Sequence, residues 1–165
     1  MPTTPSALSY GAIRDYAEMV GKHYNIHAGD SPADMAALVR QLGGKIVYAD
    51  TSESLHVDGR GDFTIFLPES TSVRRDKFTL AHELGHYFLH YVHQEQTDER
   101  RFERGSRNTA ETQANVFAAS LLMPEQEFRS AWSALGGATW QLAERFGVSP
   151  AAVTVRCQVL GLAAN

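Results

Sequence analysis

His82, Glu83 and His86 stand in the order His-Glu-Leu-Gly-His, and on a helix that spacing has a chemical meaning. Residues four apart project from one face a turn above one another, so two imidazoles can converge on one tetrahedral ion, at ~2.0–2.1 Å per nitrogen for zinc. Glu83 lies beside that face, placed to take a proton from a water at the site rather than to bind the ion. The pattern implies metal-assisted hydrolysis with zinc, or manganese in the cell. Two histidines on a solvated helix would match the same five letters by chance. Here Phe78, Ala81, Leu84 and Phe88 make one side of the helix apolar, so the histidines border a core.

A catalytic zinc takes three protein ligands and keeps one position open. His90, His93, Glu99, Glu103 and Glu111 are the candidates for the third. His90 continues the same helix eight residues beyond His82, a rise of ~12 Å, and no glycine breaks the helix there. The longer zincin pattern is not met, because Leu89 and Val92 stand three and six residues beyond His86. A carboxylate from a second helix is the better donor. Glu111 and Asn115 are four apart and share a face, so Glu111 can ligate while the Asn115 amide holds the far nitrogen of a ligand histidine. The competing explanation of Glu111 is a first-turn glutamate that complements the helix dipole. The residue that stabilises an oxyanion stays open among Tyr87, His90, Tyr91 and His93.

The elements that must position these residues follow from periodicity. Tyr10, Ile13, Ala17, Val20 and Tyr24 recur at helical spacing, as do Met35, Leu38, Val39 and Leu42. Ser31 is read as the cap of the second helix, with Pro32 at its first position and Gly43-Gly44 at its end. Short β-type runs follow at Ile46–Tyr48, Leu55–Val57 and Phe63–Leu67, the last two joined by the turn-rich Asp58-Gly59-Arg60-Gly61-Asp62. They predict a small antiparallel sheet, with Phe63–Leu67 as an edge against which an extended substrate pairs. Thr71 or Ser72 caps the long helix that carries the motif, which runs to about His90. Tyr91 to Arg107 is polar and reads as a loop. A further helix spans about Ala110 to Leu122, and Met123-Pro124 restarts the chain into a shorter one around Phe128 and Trp132.

From Thr139 the pattern is helix, glycine turn at Gly147, and a second helix opened by Ser149-Pro150, which has the shape of a helix-turn-helix. Its charges argue against reading DNA. Glu125, Glu127 and Glu144 balance Arg129, Arg145 and Arg156, whereas a DNA reader spends several cations on phosphates. The whole chain has a formal net charge of -4, so protein partners are expected over nucleic acid. The single Cys157 excludes an intrachain disulfide and fits a reducing compartment. MPTTPSALSY has neither a basic nor an apolar signal region, and the expectation is a cytoplasmic protein with no membrane partner.

Arg75 to His90 around the histidine motif, then Glu111 to Pro124, then Phe146-Gly147-Val148-Ser149, resemble the ImmA/IrrE family of bacterial and phage metallopeptidases. The resemblance covers most of the chain from the third strand onward. It implies a gluzincin-like site with His82, His86 and Glu111 as ligands and Glu83 as base. It also implies cleavage of a helix-turn-helix transcriptional repressor, relieving repression of stress-response or mobile-element genes. Some members end in an additional sensory domain, whereas this sequence stops at Asn165. The expected architecture is α+β, with a mainly helical zincin-like metallopeptidase domain over residues 1–135 and a helix-turn-helix-like segment over 136–165 packed on it. The alternative is a DNA-binding or partner-binding regulator with a non-catalytic metal site. A closed structural site prefers four protein ligands, and only three are convincing here.

Overall fold

Residues 3–29 and 31–165 are described by a computed structural model of the chain. The first helix, α1 (Tyr10–His23), starts where Ser9 accepts a hydrogen bond from the amide of Ala12, and it buries Ile13, Ala17 and Val20. The second, α2 (Met35–Gln41), starts later than Ser31-Pro32 predicted. Asp34 is its cap and accepts from the Ala37 amide at 3.0 Å. Ser31 and Pro32 lie ahead of the helix, because Asp34 directly abuts the first buried residue, Met35. Gly43 then turns the chain at φ 94°, with a backbone so close to Gly61 that a Cβ would lie 2.0 Å from the Gly61 carbonyl oxygen.

Four strands follow: β1 (Gly44–Tyr48), β2 (Glu53–Gly59), β3 (Asp62–Leu67) and β4 (Arg100–Glu103). The sheet order is β1-β3-β2-β4. The β2–β3 hairpin is antiparallel, as its turn residues predict, but β1 joins the free side of β3 in parallel register, so the sheet is mixed. This arrangement also corrects the expectation of an edge at Phe63–Leu67. β3 is internal, flanked on both sides, and Phe63, Ile65 and Leu67 alternate into the core. The edge position next to β2 belongs to β4, inside the stretch that sequence pattern reads as a loop.

The motif lies on α3 (Val73–Tyr87), capped by Ser72, which accepts from the Arg75 amide. Beyond Tyr87 the helix widens into one π-type turn over Phe88–Val92, closed by a hydrogen bond from the His93 amide to the Phe88 carbonyl at 2.8 Å. Next comes α4 (Thr109–Leu122), capped by Asn108. It packs across α3 at Gly85, where an added Cβ would stand 3.0 Å from the Ala114 Cα. The chain ends in α5 (Glu125–Ala134), α6 (Thr139–Phe146) and α7 (Pro150–Leu160). Gly147 provides the left-handed turn between the last two, and Ser149 caps α7.

The result is an α+β fold in which α2 and α3 pack against one small sheet, α4 packs on α3, and α1 packs on α4. One buried cluster runs from Ile13 and Val39 through Leu55, Phe63, Leu84 and Phe117 to Leu142, Phe146 and Val153. No helix among the described residues is long and apolar enough to cross a membrane.

Candidate metal centre

Two helices converge on the site. His82 and His86, one turn apart on α3, have ring centroids separated by 4.9 Å and ring planes at 85°. Glu111, in the first turn of α4, turns its carboxylate to both: Oε1 lies 3.4 Å from His82 Nε2, and Oε2 contacts His86 Nε2. One ligand atom from each of the three falls within 4.8 Å of the others. A tetrahedral zinc with ligands at ~2.0–2.2 Å sets its donors roughly 3.3 Å apart. Two imidazoles and a carboxylate of this spacing therefore fit such an ion and leave a fourth position for a water.

The surroundings hold these groups in orientation. Asn115, one turn along α4 from Glu111, has Oδ1 2.7 Å from His82 Nδ1, so the ring donates from Nδ1 and turns Nε2 toward Glu111. The Phe102 ring of β4 stacks on His86 at 5.2 Å and 26°. β4 is in turn tied down by Arg104, whose guanidinium donates to the carbonyls of Glu53 and Phe66. Arg101, Phe102, Glu103, Asn108 and Glu111 line a cleft between this strand and the start of α4.

Glu83 is outside the ligand group and is only 4 % exposed. Burial raises its pKa above the usual carboxylate value, opposed by the nearby His82 and His86 and by a hydrogen bond from Ser54. Burial also pushes Glu111 upward, but its hydrogen bonds with His82 and His86 outweigh this and hold it at about 2. His82 is pulled down by burial, yet its bond to Glu111 and the charges of Glu83 and Glu111 raise it overall. The histidine pair therefore has a committed anion opposite it, while Glu83 is a carboxylate with raised proton affinity.

The other candidates are elsewhere. His90 is fully buried, with Nδ1 2.9 Å from His86 Nδ1 and Nε2 2.9 Å from Gln113 Oε1. Burial lowers its pKa to about 4. His93 packs edge-on against Tyr16. Glu99 pairs with His56 and Arg101 on the outer side of the sheet; with Asp58 it forms a second His-carboxylate group, for which Arg101 supplies the counter-charge. Glu103 lines the cleft but does not join the ligand group. The Tyr87 hydroxyl accepts from the Gly61 amide and the Tyr91 hydroxyl donates to the Asp98 carbonyl, so both are committed to packing. Ser54, Phe102 and Gln113 had no sequence signal of their own, whereas Gly85, a glycine inside a helix, does mark close packing.

The family model of the IrrE N-terminal-like domain, a peptidase family, matches residues 40–158. The chain belongs to this family. A solved structure of a Mycobacterium tuberculosis transcriptional regulator has the same fold, with a TM-score of 0.62 and 18% identity over 90% of this chain and 46% of that one. The IrrE-like chain thus spans about half the length of that protein. No curated protein matches it significantly. The matched segment contains every residue of the His-Glu-Asn constellation described above, from His82 to Asn115.

Proposed function

We propose that this IrrE-like chain is a zinc-dependent endopeptidase of the cytoplasm that cuts a helix-turn-helix transcriptional repressor and so relieves repression of stress-response or mobile-element genes. The observation that carries the peptidase reading is the convergence of His82, His86 and Glu111 beside a buried carboxylate that is not one of them. The peptidase family to which the chain belongs supports it, and a structural neighbour that is itself a transcriptional regulator supports a link to transcription. Zinc suits the donor set, with manganese the alternative.

Bound there, zinc supplies Lewis acidity, lowering the pKa of a water toward ~7 and polarising a carbonyl. His82, His86 and Glu111 hold the ion, and Asn115 keeps His82 in the tautomer that can do so. Glu83 accepts the proton of the attacking water and later hands it to the leaving nitrogen; its burial makes it receptive to that proton. The substrate backbone lies in extended form along the open side of β4, the strand whose Phe102 covers His86, rather than along the internal β3. Residues 1–135 form the catalytic unit in this reading, with 136–165 as a partner-docking appendage.

The deciding experiment is Glu83→Gln. The variant should keep its metal and its fold, lose ~10²–10⁴ in cleavage rate, and retain the intact repressor. Cleavage of a cognate repressor at the parental rate would remove Glu83 from the base role, and loss of zinc with it would make Glu83 a ligand.

A further inference from the structure

Behind the candidate ligand His86, a line of buried polar groups leads to the N-terminal segment. The Gln113 side chain pairs twice with the backbone of Ser6: the Ser6 amide donates to Oε1 at 2.9 Å, and Nε2 donates to the Ser6 carbonyl at 2.9 Å. An amide side chain is nearly symmetric in shape, but only one orientation satisfies both bonds. Oε1 is therefore the atom that also faces His90 Nε2 at 2.9 Å.

A carbonyl oxygen only accepts, so His90 Nε2 carries the hydrogen. A neutral imidazole has one N–H, so His90 Nδ1 is bare and must accept. The atom facing it at 2.9 Å is His86 Nδ1, which must then donate. In the neutral ring that leaves His86 Nε2 free for a metal, and Nε2 is the nitrogen turned to Glu111. His86, His90 and Gln113 are 2 %, 0 % and 4 % exposed, so water does not compete for these bonds. Gln94 fastens the same N-terminal segment at Thr4 through a 2.8 Å bond.

We infer that His90 and Gln113, set by the Ser6 backbone, are positioning residues that fix His86 in its metal-binding tautomer. The ligand role of His86 comes from the function proposed above; the order of tautomers does not depend on it. The two histidines of the motif are then fixed by different means. His82 is held by an amide on the helix that supplies Glu111, and His86 by a relay that ends in a segment remote from both helices in sequence.

Two measurements test this. In the metal-free full chain with ¹⁵N-labelled histidine, long-range ¹H–¹⁵N correlation spectra should report Nδ1–H at His86 and Nε2–H at His90. The opposite tautomer at either ring overturns the relay. Zinc affinity is then measured by chelator competition in His90→Leu and His90→Asn. Asparagine places a carbonyl near the position of the His90 Nδ1 and still accepts from His86, whereas leucine cannot. His90→Leu should bind zinc about 10–100-fold more weakly and show mixed tautomers at His86, with most of the affinity restored in His90→Asn. Equal affinity in wild type and a folded His90→Leu overturns the proposal. If His90→Leu does not fold, the wild-type spectra decide. Absence of zinc binding by the wild type would instead sink the metal reading, an outcome distinct from reversed tautomers.

Discussion

The Ser54 hydroxyl lies 3.2 Å from Glu83 Oε1, and the same oxygen lies 3.2 Å from the Phe102 carbonyl. A hydroxyl has one hydrogen, so it donates to one of these acceptors at a time. With Glu83 ionised, the charged acceptor is the stronger partner. With Glu83 protonated, the carboxylic acid can donate to Ser54, and Ser54 can turn to Phe102. Ser54 thus links the protonation of the proposed base to the edge strand.

Replacing Ser54 by Ala removes a bond that favours the ionised form of Glu83. The carboxylate, already raised by burial, rises further. A base must be ionised to act, so activity falls as pH drops through the folded-state pKa, and the acid limb of the pH–rate profile should move to higher pH in Ser54→Ala. An unchanged limb would mean that Ser54 has no hold on the base.

Gly85 permits the contact that brings Glu111 to the histidines. A Cβ there would meet the Ala114 Cα and carbonyl oxygen at 3.0 Å and the Phe117 Cβ at 3.2 Å. Two of these are backbone atoms that can move only with their helix. Gly85→Ala should cost about 1–3 kcal/mol as overpacking, partly offset by about 1 kcal/mol of helix propensity. Urea unfolding measures the balance, and a gain in stability would show that α3 and α4 separate freely.

Metal binding should appear as stability. Free zinc at a hundred times Kd is expected to add about 2.7 kcal/mol to the wild type through linkage, read as a rise in Tm over the chelated protein. Glu83→Gln should show the same rise, and His86→Ala and Glu111→Ala should lose most of it. A full rise in Glu111→Ala would move the third ligand, with Glu103 the first place to look.

Lys77 gives a pH signature away from the site. Burial lowers its pKa from 10.5 to about 8, opposed by Asp34, and its ammonium stands under the Gly147 turn. The folded state therefore gives up this proton before the unfolded state does. Between pH about 8 and 10.5 the unfolded chain binds more protons, so this group makes stability increase with pH in that window. Lys77→Met should lack that contribution, as seen in denaturation curves at pH about 7.5 and about 10, which bracket the window.

Much of the helical frame was legible because it is local. Ser72, Ser149 and the 3.6-residue pattern act within a few positions of themselves, and α3, α4 and α7 begin close to where those signals fall. The second helix begins late because two residues compatible with capping, Ser31 and Asp34, lie close together, and the one next to the buried Met35 caps it. β4 was not legible. Arg100-Arg101-Phe102-Glu103 has one buried apolar residue, and its strand state comes from pairing with β2 and from the Arg104 clamp. The π turn over Phe88–Val92 likewise left no trace in the spacing. At the site, the motif and its i+4 partners point to residues that do lie together. Ser54 and Gln113 enter only through contacts 29 and 23 residues apart in sequence.

The helix-turn-helix shape should not bind DNA. Arg156, the single cation of α7, is 3 % exposed and donates to the Met123 carbonyl at 2.9 Å, so it is a structural residue. The outward positions of α7 include Val155 and Val159. Gel shifts at physiological salt should show no specific complex, and a nanomolar, sequence-specific one would refute this.

β4 has one paired side and offers the other only to a chain able to complete its ladder. A polypeptide in a helix has its amides and carbonyls already bonded to each other and has nothing to give such a strand. Under the proposed function, a protein to be cut here would first have to release a few residues from its own fold, and the cost of that release would enter the rate directly when opening is fast. With a substrate seated as proposed, the peptidase would discriminate among proteins by how readily a segment comes loose as well as by side chain, and a mutation that firms up the target locally would protect it without touching the bond that is cut.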